Sequence, residues 1–227
     1  MGTKLVRNII ADASAYLADE GTRRKWSQAL LLKWLNYAEK AICLVKPDAY
    51  SAVVSSLLVP GTKQTKPETL TMIGRVTRNT GSAGTTPGKV IAEMDLDTMD
   101  QGEDWHTTTA ATVVKYFIRI PGDNSSFFVW PPVHATTPVY VEMSGPALPA
   151  DITETNWTTG TQTINLPDVF VNPILELILF RACDMLSSSN DAMTAKANQA
   201  LSRAIQMITG KSDAEAQTRV RGAAGKG

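Results

Sequence analysis

The residues best suited to chemistry in this sequence are two histidines, two cysteines, an acidic cluster and the Gly-Lys step at 88–89. A phosphate-binding loop needs a glycine five positions before that Gly-Lys and a Ser or Thr after it, so that backbone amides cradle phosphate and a hydroxyl meets the metal. Here Gly88-Lys89 is preceded at the required position by Ala83 and followed by Val90, so the run 79–89 (NTGSAGTTPGK) reads as a flexible loop. His106 and His134 have no second ligand at metal-binding spacing and no cysteine near them in sequence, and each reads as a hydrogen-bonded structural or surface histidine. Asp95, Asp97, Asp100, Glu103 and Asp104 offer hard carboxylate oxygens, but the glycine and terminal glutamate of a calcium loop are missing. A solvated face or a charge contact with a neighbouring subunit is the expectation for them. There is no GxSxG elbow, HExxH pair or paired-cysteine motif. The reading is of a protein without catalytic residues, metal or cofactor.

Composition agrees with a folded, non-catalytic protein. At 227 residues, 43% hydrophobic and 19% charged, the chain can bury a core and form one domain or two small ones. Its 22 basic and 22 acidic residues cancel, so no overall field draws it to nucleic acid or an anionic membrane. Cys43 and Cys183 lie in helix-like apolar stretches and read as buried thiols of a reducing compartment. The N-terminal MGTKLVRNIIADASAYL lacks a continuous apolar core of signal-peptide type. The longest apolar run, 174–180, is interrupted by Glu176 and falls far below the ~20 residues that span a bilayer. The sequons at Asn124 and Asn156 read as chance occurrences.

The elements around these residues fall into three blocks. Apolar residues at steps of three and four (Leu5, Ile9, Ala13, Tyr16) predict a helix over 3–20, ended by Gly21. After the basic turn Arg23-Arg24-Lys25, Ser27 is placed to cap a second helix that Pro47 stops, with Trp26 placed to staple onto Leu31. Leu31, Trp34 and Tyr37 give that helix an apolar face wider than one packing partner requires. Strands are predicted at 55–59, 70–78, 90–94 and 138–144, with a turn region over 60–67. The central feature is a hairpin: alternation over 113–120 places Val114, Tyr116, Ile118 and Ile120 on one side. Gly122, Asp123 and Asn124 reverse the chain, and 127–130 returns before Pro131 and Pro132 end the hydrogen bonding. Helical spacing resumes at Asn172-Pro173 in what should be the most buried helix, then after a turn at 187–190 in a last helix ended by Gly210.

Two helices before the strands and two after predict an α+β fold. It is an antiparallel four-helix bundle with an inserted small antiparallel β module and an extended C-terminal tail. The divisions are 1–47 with 165–210 for the bundle, 48–164 for the β domain and 211–227 for the tail. In the tail Lys211, Arg219, Arg221 and Lys226 outweigh Asp213 and Glu215, and its Gly-Ala ending has nothing to fold around. It is expected to gain order only against another chain.

Four segments together resemble the head-to-tail adaptor (connector) proteins of tailed bacteriophages, in particular the tail tubular protein A-like adaptors of short-tailed phages. They are RKWSQALLLKWLNYAEKAICLVKPDA, LLVPGTKQTKPETLTMIGRVTRN, DWHTTTAATVVKYFIRIPGDNSSFFVWPPV and LPDVFVNPILELILFRACDM, spread from Arg24 to Met185. The chain departs from relatives at Lys66, where an aliphatic residue is usual, and in its loop 79–89. The resemblance implies a structural virion protein, assembled in the host bacterial cytoplasm, that forms a homo-oligomeric ring of 12 subunits between the portal protein and the tail nozzle, with tail fibres as further neighbours. DNA passes through its lumen without sequence-specific binding during ejection, and no membrane is involved. The expected contacts are Arg219, Arg221 and Lys211 for the portal, Leu31, Trp34 and Tyr37 between subunits, and Lys89, Asp123 and Asn124 in loops facing the nozzle. The competing reading is a soluble polymer- or carbohydrate-binding module with Trp105, Trp130 and Trp157 as stacking platforms.

Overall fold

A computed structural model describes residues 2–19, 25–101, 104–187 and 191–210. In chain order the elements are α1 (Val6–Tyr16), α2 (Gln28–Val45), β1 (Ser51–Leu57), β2 (Gly61–Thr65), β3 (Arg75–Asn79), β4 (Ala92–Met94), α3 (Leu96–Asp100), β5 (Tyr116–Ile120), β6 (Asp123–Val133), β7 (Tyr140–Pro146), α4 (Val171–Ser187) and α5 (Asp191–Thr209). The chain divides into two compact units, Met1–Ala49 with Pro149–Gly227 and Tyr50–Leu148.

The fold is α+β, but the helices do not form the expected four-helix bundle. Only α4 and α5 pack along their lengths as an antiparallel pair, whereas α1 and α2 meet α4, and each other, over short stretches. The reason lies in the segment before α4. It reads as a polar loop, yet it fills the place that a bundle gives to a neighbouring helix. Ile152, Ile164, Leu166 and Phe170 are buried there. The Ile164 amide donates to the Lys4 carbonyl at 3.1 Å, and the Val6 amide donates to the Gln162 carbonyl at 2.9 Å. The Asp168 carboxylate accepts from the Thr3 amide (2.7 Å) and hydroxyl (2.5 Å), which holds its pKa below the usual range.

Within the helices the local chemistry is as the spacing predicts at several points. The Ser27 hydroxyl accepts from the Leu30 amide at 3.2 Å and caps α2, and α5 stops where Gly210 adopts φ +64°. Helix α1 is shorter than predicted because Ala18 turns into the left-handed region at φ +50°. Helix α2, with nine buried residues against five in α4, is the more buried of the two, since Met185 and the Leu186 end of α4 reach the surface.

The β unit holds two sheets, in the orders β1-β7-β3 and β2-β6-β5-β4. Val76, Val141 and Met143 from the first and Phe117, Phe127 and Val129 from the second share one core cluster, so the sheets pack face to face. The module is not wholly antiparallel: β4 runs parallel to β5, because the connection through α3 returns the chain to the same end. In β5 it is Phe117 that enters the inter-sheet core, edge-on to Phe127 at 5.5 Å, while Tyr116 and Ile118 take the opposite face. That face is covered as well, because α3 packs on β5, so simple alternation misassigned the core side. Strand β6 continues through Pro131 and Pro132 to Val133. The prolines lack amides, but the Pro132 carbonyl accepts from the Ala111 amide at 2.8 Å and keeps the strand in the sheet. The expected turn region 60–67 contains strand β2, paired with β6.

Candidate interaction surfaces

The three residues expected between subunits do not share one environment. Leu31 is fully buried and Trp34 is 5% exposed, the indole packing at 5.2 Å against Trp26 with the ring planes tilted by 60°. Tyr37 is 45% exposed with the Lys33 ammonium 5.7 Å from its ring centre. About two turns on, Leu44 and Val45 are more exposed still, at 70% and 53%. Beside this stripe lies a groove of about 190 Å³ between α2, α4 and α5, lined by Trp34, Tyr37, Ala41, Leu177, Phe180 and Leu201. The helical unit therefore presents an apolar strip whose floor is its own core.

Position on α2 also decides what two polar residues do. Glu39 is 1% exposed, and its carboxylate accepts from the Asn165 amide and side chain, both at 2.8 Å, and from the Leu166 amide at 3.3 Å. Burial pushes its pKa up despite these bonds, and it pushes the neighbouring Cys43 thiol up to about 11. Three residues earlier, the Asn36 side chain both donates to the Ile152 carbonyl and accepts from the Ile152 amide at 3.0 Å, as a strand partner does. No spacing in the sequence marks Glu39 or Asn36, because their partners lie more than 110 residues away.

The loop residues expected to meet the nozzle are accessible but more ordered than their composition suggests. Lys89 is exposed, yet its carbonyl accepts from the Asn79 amide and side chain. The buried Asn79 also exchanges two hydrogen bonds with the Val114 backbone at 2.8 Å, and Thr86 and Gly88 donate back to 79–80. The loop 79–89 is thus folded on itself. At the start of β6, beside the hairpin turn, the Asp123 carboxylate accepts from the amide and hydroxyl of Ser125, which lowers its pKa to about 2, while Asn124 is exposed. Arg219, Arg221 and Lys211 lie outside the described residues, as do the tail 211–227, Glu103, and the turns at 21–24 and 188–190.

The aromatic residues of the competing reading are engaged elsewhere. Trp105 is buried, its indole N–H donating to Asp100 at 3.0 Å with His106 stacked on it at 3.5 Å. His106 Nδ1 sits 2.9 Å from the Thr62 hydroxyl, and His134 Nδ1 lies within 3.3 Å of the Thr136 and Thr137 amides. Trp130 lies against Tyr116 in the β unit, with Lys115 over its ring, whereas Trp157 belongs to the helical unit. Both cysteines are free. Among the described residues no group of three or more His, Cys, Asp or Glu is placed to hold a metal, and no helix is long and apolar enough to cross a membrane.

The described residues thus offer buried polar side chains that fix segments and exposed apolar side chains on ordered elements. The chain belongs to the SU10 adaptor protein family, whose model matches residues 5–223. The family is one of bacteriophage structural adaptors and not an enzyme class, and it makes the protein a virion component. A comparison with curated proteins finds no match.

Proposed function

We propose that the protein is the head-to-tail adaptor of a short-tailed phage of the tail tubular protein A kind. A ring of twelve copies joins the portal to the nozzle and lines part of the channel through which DNA is ejected. The observation that carries this reading is the family match over nearly the whole chain. Subunits meet through the helical unit. Tyr37, Leu44 and Val45 supply exposed apolar surface, and Trp34 and Leu31 form the packed floor beneath. Lys89, Asp123 and Asn124 face the nozzle or fibres from the β unit. The tail grips the portal through Arg219, Arg221 and Lys211, whose cations make charge-assisted hydrogen bonds to acidic groups or carbonyls. A net charge of zero suits a channel that DNA crosses without binding. Assembly takes place in the host cytoplasm.

Co-sedimentation with purified portal tests the reading. The full chain is expected to pellet with portal, and a chain ending at Gly210 to keep its helix content but remain in the supernatant. Failure of the full chain to bind overturns the adaptor reading. Normal binding by the shortened chain removes the tail from it.

A further inference from the structure

Strand β1 has one side in the sheet and one side open. Its register with β7 runs from Ser51 opposite Pro146 to Leu57 opposite Tyr140. At its two ends the Ala147 amide donates to the Tyr50 carbonyl and the Leu58 amide to the Val139 carbonyl. Hydrogen bonds in an antiparallel pair alternate, so the even-numbered residues face β7. The backbone groups of Ser51, Val53, Ser55 and Leu57 therefore point away from the sheet, and among the described residues no strand pairs with them. The edge ends at Val59, where the buried Gln64 side chain accepts from the Val59 amide and donates to its carbonyl, both at 2.8 Å, in place of a strand.

Proteins protect such edges with charges, bulges, brevity or a cover. Each other edge of this unit has one of these. Strand β3 is covered by Val90 and Ile91, β2 carries Lys63 beside a register shift, and β4 is three residues long and bears Glu93. Strand β1 lacks them along its outward backbone: 51–59 contains no charge and no proline, its register is unbroken, and Val53 and Leu57 are 68% and 53% exposed, while the loop 79–89 meets the strand at the Ser55 side chain, whose hydroxyl donates to the Gly84 carbonyl at 2.9 Å.

We infer that the outer edge of β1 is a docking site for an extended, uncharged segment of another tail protein, which adds as a further strand beside Ser51–Leu57. Open amides and carbonyls at every second residue match only another extended backbone, and Val53 and Leu57 favour apolar or β-branched residues opposite them. A second copy of this chain is the wrong occupant by its described residues: among them the only edge without such protection is β1 itself, and β1 against β1 is a two-fold contact that closes at two copies and cannot build a ring. Seven residues a side also fall well short of the roughly 20–30 that a free-standing interface uses. The added strand must belong to a protein already held by other contacts, which rests on the adaptor reading.

Residue-resolved hydrogen exchange on the full chain, free and in purified phage particles, tests this. In the free protein the amides of Val53, Ser55 and Leu57 should exchange quickly while those of Ala52, Val54 and Ser56 are protected. In particles the odd-numbered amides should slow by about tenfold or more. Val53→Lys should leave the thermal midpoint of the free protein unchanged and cut the tail proteins recovered in particles at least about tenfold, with Val53→Thr assembling normally. Particles that contain the chain with fast-exchanging odd-numbered amides, or Val53→Lys particles with a full tail, overturn the inference and leave the adaptor reading standing. Protection already present in a free dimer assigns the edge to a second copy and overturns it too. Absence of the chain from particles overturns both.

Discussion

Replacing Glu39 with alanine removes the acceptor that ties 165–166 to α2, and the structure sets the size of the loss. The Asn165 side-chain amide keeps a second acceptor, the Ala150 carbonyl at 3.1 Å, so it is not orphaned. The backbone amides of Asn165 and Leu166 are left without a partner, and Leu166 is fully buried. Each orphaned buried donor costs about 1–3 kcal/mol, partly offset because a desolvated carboxylate is no longer buried, for a net of about 3 kcal/mol. For a chain of this size that lowers the melting temperature by roughly 6–12 °C. Glu39→Gln, which keeps one acceptor oxygen, should lose about half as much. The pH dependence has a definite sign. Burial raises the folded pKa of Glu39, so the native state holds its proton more tightly than the unfolded chain. The stability Glu39 contributes is then greatest near and below its unfolded value of about 4.5 and is lost as pH rises through the folded value. The deficit of Glu39→Ala relative to the unaltered protein should be larger at pH 5 than at pH 7, measured by calorimetry at both. A melting temperature within about 2 °C of the parent, or a deficit that grows as pH rises, refutes the role given to this carboxylate.

Other perturbations separate core from surface. Trp34→Ala should destabilise by about 3–5 kcal/mol in denaturant titration, since it empties a packed site against Trp26. Tyr37→Glu should change stability by less than about 0.5 kcal/mol while abolishing rings on portal in electron micrographs. Gly74→Ala should cost about 2–3 kcal/mol by the same titration, because a Cβ there meets the Ser144 carbonyl oxygen at 2.6 Å and the Gly145 Cα at 2.9 Å.

What the sequence made legible was local. Ser27 announces its cap, Gly210 its helix stop, and Gly122 the hairpin, because each depends on neighbours within a few residues, although the reversal is made by Pro121-Gly122 and Asp123 and Asn124 already belong to β6. The four-helix bundle was not there to be read. It was inferred by counting apolar faces, and that count missed Ile152, Ile164 and Leu166, which cover α1 and α2 from a segment without periodicity. The width of the α2 face had the same weakness: it put Leu31, Trp34 and Tyr37 together, although burial separates the first two from the third. Long-range polar pairs such as Glu39 with Asn165 leave no trace in spacing at all. The start of β1 was missed for a related reason. Only Lys46 to Tyr50 separate SAVV from α2, and only the register with β7 reveals that its outer edge is open.

The central claim is tested most directly by electron cryomicroscopy of the portal vertex in intact particles. The adaptor reading predicts a ring of twelve copies between portal and nozzle, with the helical unit and the two-sheet unit each fitting the density and Tyr37 at the contact between neighbouring subunits. A junction whose density is filled by other chains, with this protein located elsewhere in the particle or absent from it, contradicts it.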